Sequence, residues 1–210
     1  MELEDYKVIR NFISQSEVDQ ILNWVDTIEQ GASDPNYHLA HLSNALKGRS
    51  MIFDISKTTI TKFITDFQSV SGVSNEELPD FIYLIIDRIA KFMELPTDNI
   101  FLQVVDMNKG GKINPHYDAA LDGYINYKCN ISVLSENYDF HIDRHKIPIE
   151  QKDLYCFEAS LYKHWTNEFA SRRVLLSFGF IVPYEIIGRG QDDPRVRLSK
   201  RIEKYFQKNN

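Results

Sequence analysis

A chain of 210 residues with 43% hydrophobic and 26% charged side chains can bury a core without staples, and its composition is neither fibrous nor low-complexity. The net charge of −6 argues against a broad phosphate-binding surface, so nucleic acid is not an expected partner. The longest apolar run, FIYLII at 81–86, is about a third of a membrane span, and MELEDYKVIR has no signal layout; with Cys129 and Cys156 in neither zinc nor disulfide-framework spacing, the expected location is the cytoplasm.

Helices come first. SQSEVDQILNWVDTIEQG opens with Ser14 and Glu17 in capping-box spacing, sets Val18, Ile21, Leu22, Val25 and Ile28 on one face, and stops at Gly31. Residues 32–50 are polar and irregular, and read as a surface loop of the kind from which substrate lids are drawn. His38 and His41, inside it, read as solvated. TTITKFITDFQSV (58–70) places Ile60, Phe63, Ile64 and Phe67 at helical spacing. SNEELPDFIYLIIDRIAKFMELP (74–96) repeats the start signal at Ser74 and Glu77 and stops before Pro96.

Beyond residue 99 the period changes. NIFLQVVDMN, YKCNISVLS, YDFHIDRHKIPI, KDLYCFEA and RRVLLSFGFIVP are short, rich in β-branched or aromatic residues, and separated by turn residues. Helices followed by strands predict an α+β fold, an antiparallel barrel or sandwich with helices against it. The chain is expected to be one domain over 1–210: a helical buttress (1–98), a β core (99–184) and a basic C-terminal helix or tail (185–210). That tail carries seven Lys/Arg against four acids, and RVRLSKRIEKYFQ puts Leu198, Ile202, Tyr205 and Phe206 on one side. Such a helix docks on the core or meets a second copy of the chain.

The stretch GGKINPHYDAALDG (110–123) carries the chemistry. A His-x-Asp on a strand turns both side chains to one face, because side-chain direction alternates with period two. Imidazole and carboxylate together suit a divalent metal such as iron, and two histidines with one carboxylate on one octahedral face leave three positions open. The second histidine is expected from a later strand, and His164 lies 46 residues beyond Asp118. Nine residues further, Arg173 opens the apolar run VLLSFGF. A buried arginine there suits a bound carboxylate, which its planar fork can grip through two hydrogen bonds.

HIDRH offers a second His-x-Asp, His141 with Asp143, and His145 on the same strand face. The 116 pair is preferred because about twenty residues between Asp143 and His164 leave too little chain for the intervening strands of a barrel. Arg172 should point away from Arg173 as a surface charge, and Trp165 should pack rather than stack on substrate.

The order GGKINPHYD, then KDLYCFEASLYKHWT, then RRVLLSFGF resembles the Fe(II)/2-oxoglutarate-dependent dioxygenases over about residues 99–183, in their prolyl-hydroxylase-like and AlkB-like branches. YKVIRNFISQSEVDQILNWVD also resembles the helix that precedes the barrel there. The resemblance implies a double-stranded β-helix, a jelly-roll or cupin-like barrel, buttressed by N-terminal helices. It implies iron on His116, Asp118 and His164, with 2-oxoglutarate and O2 as co-substrates. Arg173 would hold the distal carboxylate of 2-oxoglutarate, and Tyr117, Tyr127 and Tyr155 are further candidates for binding it.

Where AlkB-like demethylases have an Asn and a Tyr before the first ligand, this chain reads Val105 and Met107; where they have a second arginine, it reads Gly179. The single arginine is more like the prolyl-hydroxylase arrangement. Asp118 itself implies hydroxylation, since related halogenases have a small residue there. The expected activity is hydroxylation of an unactivated C–H in a small molecule, amino acid or peptide, with release of succinate and CO2. A demethylase of AlkB type acting on nucleic acid or protein, and a non-catalytic barrel used for interaction, are the alternatives.

Overall fold

The structure, a computed structural model, describes residues 6–28, 48–55, 72–73, 77–118, 121–188 and 192–197. Its elements in chain order are β1 (Tyr6–Ile9), α1 (Gln15–Thr27), β2 (Gly48–Asp54), β3 (Gly72–Val73), α2 (Asp80–Met93), β4 (Ile100–Met107), β5 (Tyr124–Leu134), β6 (Tyr138–Ile142), β7 (His145–Ile149), β8 (Leu154–Glu158), β9 (His164–Thr166) and β10 (Arg173–Pro183). Two sheets result. The larger has the order β1-β8-β5-β10-β4-β2-β3, and the smaller the order β7-β6-β9. Among the described residues every strand pairing is antiparallel except the short β2–β3 pair.

The period-two alternation of the long strands divides the interior. On β10, Val174, Leu176, Phe178, Phe180 and Val182 face one way and join a core cluster with Val18, Ile21 and Val25 of α1 and Ile82, Ile86 and Ile89 of α2. The intervening residues face the smaller sheet, where Leu175 clusters with Val105, Phe140, Ile142, Tyr155 and Phe157. The helices therefore cover one face of the large sheet, and the small sheet lies across the other.

Helix α1 starts as its sequence dictates. The Ser14 side chain accepts from the Glu17 N–H, and the Glu17 carboxylate accepts from the Ser14 N–H. Helix α2 does not start at Ser74: it begins at Asp80, with Pro79 as its N-cap residue. Pro79 has no N–H to donate and disfavours helical backbone at Leu78, so a helix cannot run through this point from further upstream. Glu94 closes α2 in the left-handed region, at φ 55.

The region 1–98 is more than a helical buttress. β1 pairs with β8 (Tyr6 opposite Phe157), and β2 pairs with β4 (Ile52 opposite Gln103). Residues 48–50, read from sequence as part of a loop, are strand. The remainder of that loop with its two histidines, the helix expected over 58–70, and the C-terminal helix beyond residue 197 lie outside the described residues. Among the described residues no helix is long and apolar enough to cross a membrane.

One close approach fixes a glycine. A Cβ built on Gly179 would lie 2.1 Å from Cζ of Phe101, so the phenyl ring occupies the space a side chain would need. Gly179→Ala should lower unfolding stability by about 1–3 kcal/mol, the usual cost of overpacking a filled core. Urea denaturation measures this, and a midpoint equal to wild type would show that the ring moves aside freely.

Candidate metal centre

His116 is not on an extended strand. It forms a single antiparallel bridge with His164, in which His164 N–H donates to His116 O (2.9 Å) and His116 N–H to His164 O (3.2 Å). Directly opposed residues of an antiparallel pair project to the same side, and the two imidazole centroids lie 4.2 Å apart. Asp118, two residues on, is held by its N–H to the Ala159 carbonyl at 2.9 Å. Bridge and backbone bond thus place the pair that the sequence pattern assigned to a strand.

The ligand atoms converge. His116 Nε2 lies 3.2 Å and His164 Nε2 3.7 Å from Asp118 Oδ1, and the three groups offer atoms within 4.8 Å of one another. Metal–nitrogen and metal–oxygen bonds of about 2.1 Å put neighbouring octahedral ligands about 3 Å apart, so this spacing fits an ion with little adjustment. His116 Nδ1 is 2.8 Å from Asn114 O and His164 Nδ1 3.0 Å from Tyr162 O. A carbonyl only accepts, so each Nδ1 carries the proton and each Nε2 lone pair is left for a metal.

Charge favours the same state. Burial first, and then His116 beside it, push the His164 pKa down to about 3, so its imidazole is neutral at any ordinary pH. Burial pushes the Asp118 carboxyl up, but the Lys128 ammonium beside it outweighs this and holds the group below the usual carboxylate range. The three residues could bind iron.

They sit in one cavity, lined also by Tyr155 and Arg173. Arg173 is 1% exposed. Its Nη2 donates to Tyr138 Oη (2.8 Å) and Tyr155 Oη (3.1 Å), and the rings of Tyr138 and Phe169 each lie 4.6 Å from the guanidinium carbon. Nε and Nη1 are buried with no hydrogen-bond acceptor. A buried guanidinium with two unused donors and no carboxylate partner among the described residues has the chemistry of an anion-binding group.

The other sequence candidates separate clearly. Tyr155 lines the cavity and its hydroxyl accepts from Arg173. Tyr127 does not reach it: it falls on the opposite face of β5, buried in the cluster under the helices. Tyr117, one position off the His116/Asp118 face, is absent from the cavity lining and lies close enough to Asp143 to feel its charge. HIDRH is not one strand face. β6 ends at Ile142, Asp143 takes a positive φ of 46 in the turn, and β7 starts at His145. His141 stacks on Trp165 at 4.9 Å, away from the triad, and the Asp143 carboxylate accepts from Lys163 N–H. Arg172 points away from Arg173, as expected, but is more than a surface charge. It binds both oxygens of Asp106 at 2.9 Å and reaches Asp26 of α1, tying helix to sheet.

Two residues at the site escaped sequence reasoning: Tyr138, whose hydroxyl accepts from Arg173, and Lys128. Lys128, 4% exposed, places Nζ 3.3 Å from Asp118 Oδ2. It belongs to a strand whose inward residues, Asn126, Lys128, Asn130 and Ser132, are all polar and all buried. The alternation in YINYKCNISVL shows the two faces, but polar residues on one face of a strand ordinarily mean solvent. Only the second sheet lying across that face makes it an interior wall.

No family model and no curated protein matches the sequence. Solved structures do match in fold. The viral collagen prolyl hydroxylase of Paramecium bursaria Chlorella virus-1, in complex with 2-oxoglutarate, aligns over 85% of this chain and 97% of its own, with 13% identity and a TM-score of 0.53. OsALKBH1, an AlkB homologue, aligns over 85% of this chain and 100% of its own, with 15% identity and a TM-score of 0.55. A Trichoplax adhaerens prolyl hydroxylase, bound to a hypoxia-inducible-factor peptide fragment, aligns over 88% of this chain and 86% of its own, with 13% identity and a TM-score of 0.52. These neighbours are members of the Fe(II)/2-oxoglutarate dioxygenase superfamily, and at such identities the likeness is one of fold.

Proposed function

We propose that the protein is an Fe(II)- and 2-oxoglutarate-dependent oxygenase that hydroxylates an unactivated C–H bond of a small molecule, amino acid or peptide. One observation carries this reading: a His-Asp-His face and a buried arginine with two unused donors line the same cavity. A metal site alone would not require the arginine, and an interaction barrel would require neither. Among substrate classes a peptide is favoured by the Trichoplax neighbour, whose structure holds a peptide fragment.

His116 and His164 would hold the ion through Nε2, and Asp118 would supply the one negative ligand. Three protein ligands leave three positions for co-substrate and oxygen. Iron bound there would supply oxygen activation coupled to decarboxylation of the oxo acid, releasing succinate and CO2. Arg173 would grip the distal carboxylate, its fork oriented by the Tyr138 and Tyr155 hydroxyls. Phe140, Phe157 and Leu175 line the cavity and keep water from the chelate. Asp118 fills the position a halide would need, which favours hydroxylation.

Anaerobic titration with Fe(II) and 2-oxoglutarate should give the weak visible charge-transfer band of the chelate. The band should vanish in His116→Ala and persist in His141→Ala, whose ring packs on Trp165 rather than on the triad. No band at any concentration in the unaltered protein would overturn the reading. A band lost only in His141→Ala would move the site to HIDRH.

A further inference from the structure

The cavity holds a second buried cation. Lys128 Nζ contacts Asp118 Oδ2 (3.3 Å) and Ser177 Oγ (3.3 Å), and lies 4.6 Å from the centre of the Phe101 ring. An ammonium has three N–H donors, and these two polar contacts leave one for a further acceptor. Lys128 and Arg173 line the same cavity from two strands. Lys128 stands opposite Gly179 across the β5–β10 pair, six residues along β10 from Arg173, so the two cations enter the cavity from different levels of the sheet. The triad lies at the Lys128 level, where Nζ meets Asp118.

Gly179, Phe101 and Lys128 form one tier. Having no side chain, Gly179 gives its place to the Phe101 ring, and that ring lies beneath the ammonium. No side chain can reach the metal end from β10 at this level, so the positive charge arrives from β5 instead. Its position on Asp118 has two consequences. It occupies Oδ2, leaving Oδ1, the oxygen nearest both histidines, for an ion. It also adds a positive charge beside the metal position, where an anion would meet a cation in a water-poor site.

The geometry points to Lys128 as the anchor for the near end of an oxo acid, holding the carboxylate next to the metal independently of Arg173. This rests on the oxygenase reading above. Its consequence is specific: the metal end binds short dianions or oxo acids that have no distal carboxylate to offer Arg173.

The test uses the zinc-loaded full chain, at zinc concentrations shown by a prior titration to saturate each variant. Oxalate, pyruvate and 2-oxoglutarate are titrated by calorimetry. Lys128→Met should weaken all three by about 10–100-fold, the range for one hydrogen bond to a charged group, and Lys128→Arg should recover most of the loss. Arg173→Met should weaken 2-oxoglutarate but leave oxalate and pyruvate unchanged. Oxalate binding to Lys128→Met as tightly as to the unaltered protein overturns the inference while leaving the oxygenase reading intact. Failure of the unaltered protein to bind 2-oxoglutarate at all overturns that reading. Should Lys128→Met lose its fold or its zinc, the 15N resonance of the Lys128 ammonium, identified by its absence in Lys128→Arg, decides. It should shift when oxalate is added to the zinc-loaded chain, and an unmoved resonance overturns the inference.

Discussion

His164→Ala should reduce affinity for a divalent ion by more than about 100-fold, beyond the 10–100-fold typical of losing an outer-shell partner. The effect is large because the variant removes a ligand atom and also the neighbour that orders another. The His164 ring packs against that of His116 at a centroid distance of 4.2 Å and edge-on to Phe157 at 4.8 Å. The backbone bridge survives the substitution, since it uses only main-chain atoms, so the main chain at His116 and Asp118 stays in place and only the His116 ring loses the packing that orders it. What remains is a two-ligand site with a vacancy where the ring stood, open to solvent exchange. Cobalt(II) titration, followed by the intensity of its visible bands, measures the loss, and far-UV circular dichroism checks the fold. Affinity within a few-fold of the unaltered protein would mean that the ion, if bound, sits elsewhere.

The triad was legible in sequence because its signal is local chemistry: a His-x-Asp, a later histidine, and an arginine nine residues beyond. Its geometry was not legible there. The sequence pattern puts His116 and Asp118 on a strand, whereas a single bridge to His164 and one bond to Ala159 position them, and neither partner can be read from the residues around 116. The same limit hid β1 and β2. YKVI is only four residues long, and its partner, β8, lies nearly 150 residues away in the chain. Strand pairing at that separation is decided by tertiary packing, not by propensity.

Tyr127 and Lys128 are adjacent, and sequence reasoning singled out the one that faces away from the cavity. Both lie on β5, where direction alternates, so one must face the helices and the other the small sheet. An aromatic hydroxyl is the more familiar co-substrate partner and a lysine the more familiar surface residue. Here the tyrosine is 0% exposed in the helix-side core and the lysine is 4% exposed in the cavity. The choice between faces is made by which side α1 and α2 cover, and the amphipathic stripes of those helices say only that they cover something.

Arg173→Met separates function from stability most sharply, because the two should move in opposite directions. Affinity for 2-oxoglutarate should fall by about 100–1,000-fold, corresponding to two charge-assisted hydrogen bonds to the distal carboxylate at about 1.5–3 kcal/mol each, partly offset by retained apolar contact. The ligand-free protein should unfold at the same temperature or higher. Arg173 is fully buried with two donors unsatisfied and no acidic partner among the described residues, so its burial costs several kcal/mol. The phenol bonds and the two flanking rings offset only part of that. Methionine fills similar volume without charge. A 2-oxoglutarate concentration that saturates the unaltered protein should raise its unfolding temperature, and the same concentration should raise that of Arg173→Met far less. Differential scanning calorimetry of both proteins, with and without the ligand, gives the four numbers. A variant much less stable than the unaltered protein would identify Arg173 as a structural cation held by its two tyrosines. A more stable variant that no longer responds to 2-oxoglutarate is the behaviour of a charge kept in the interior for a ligand.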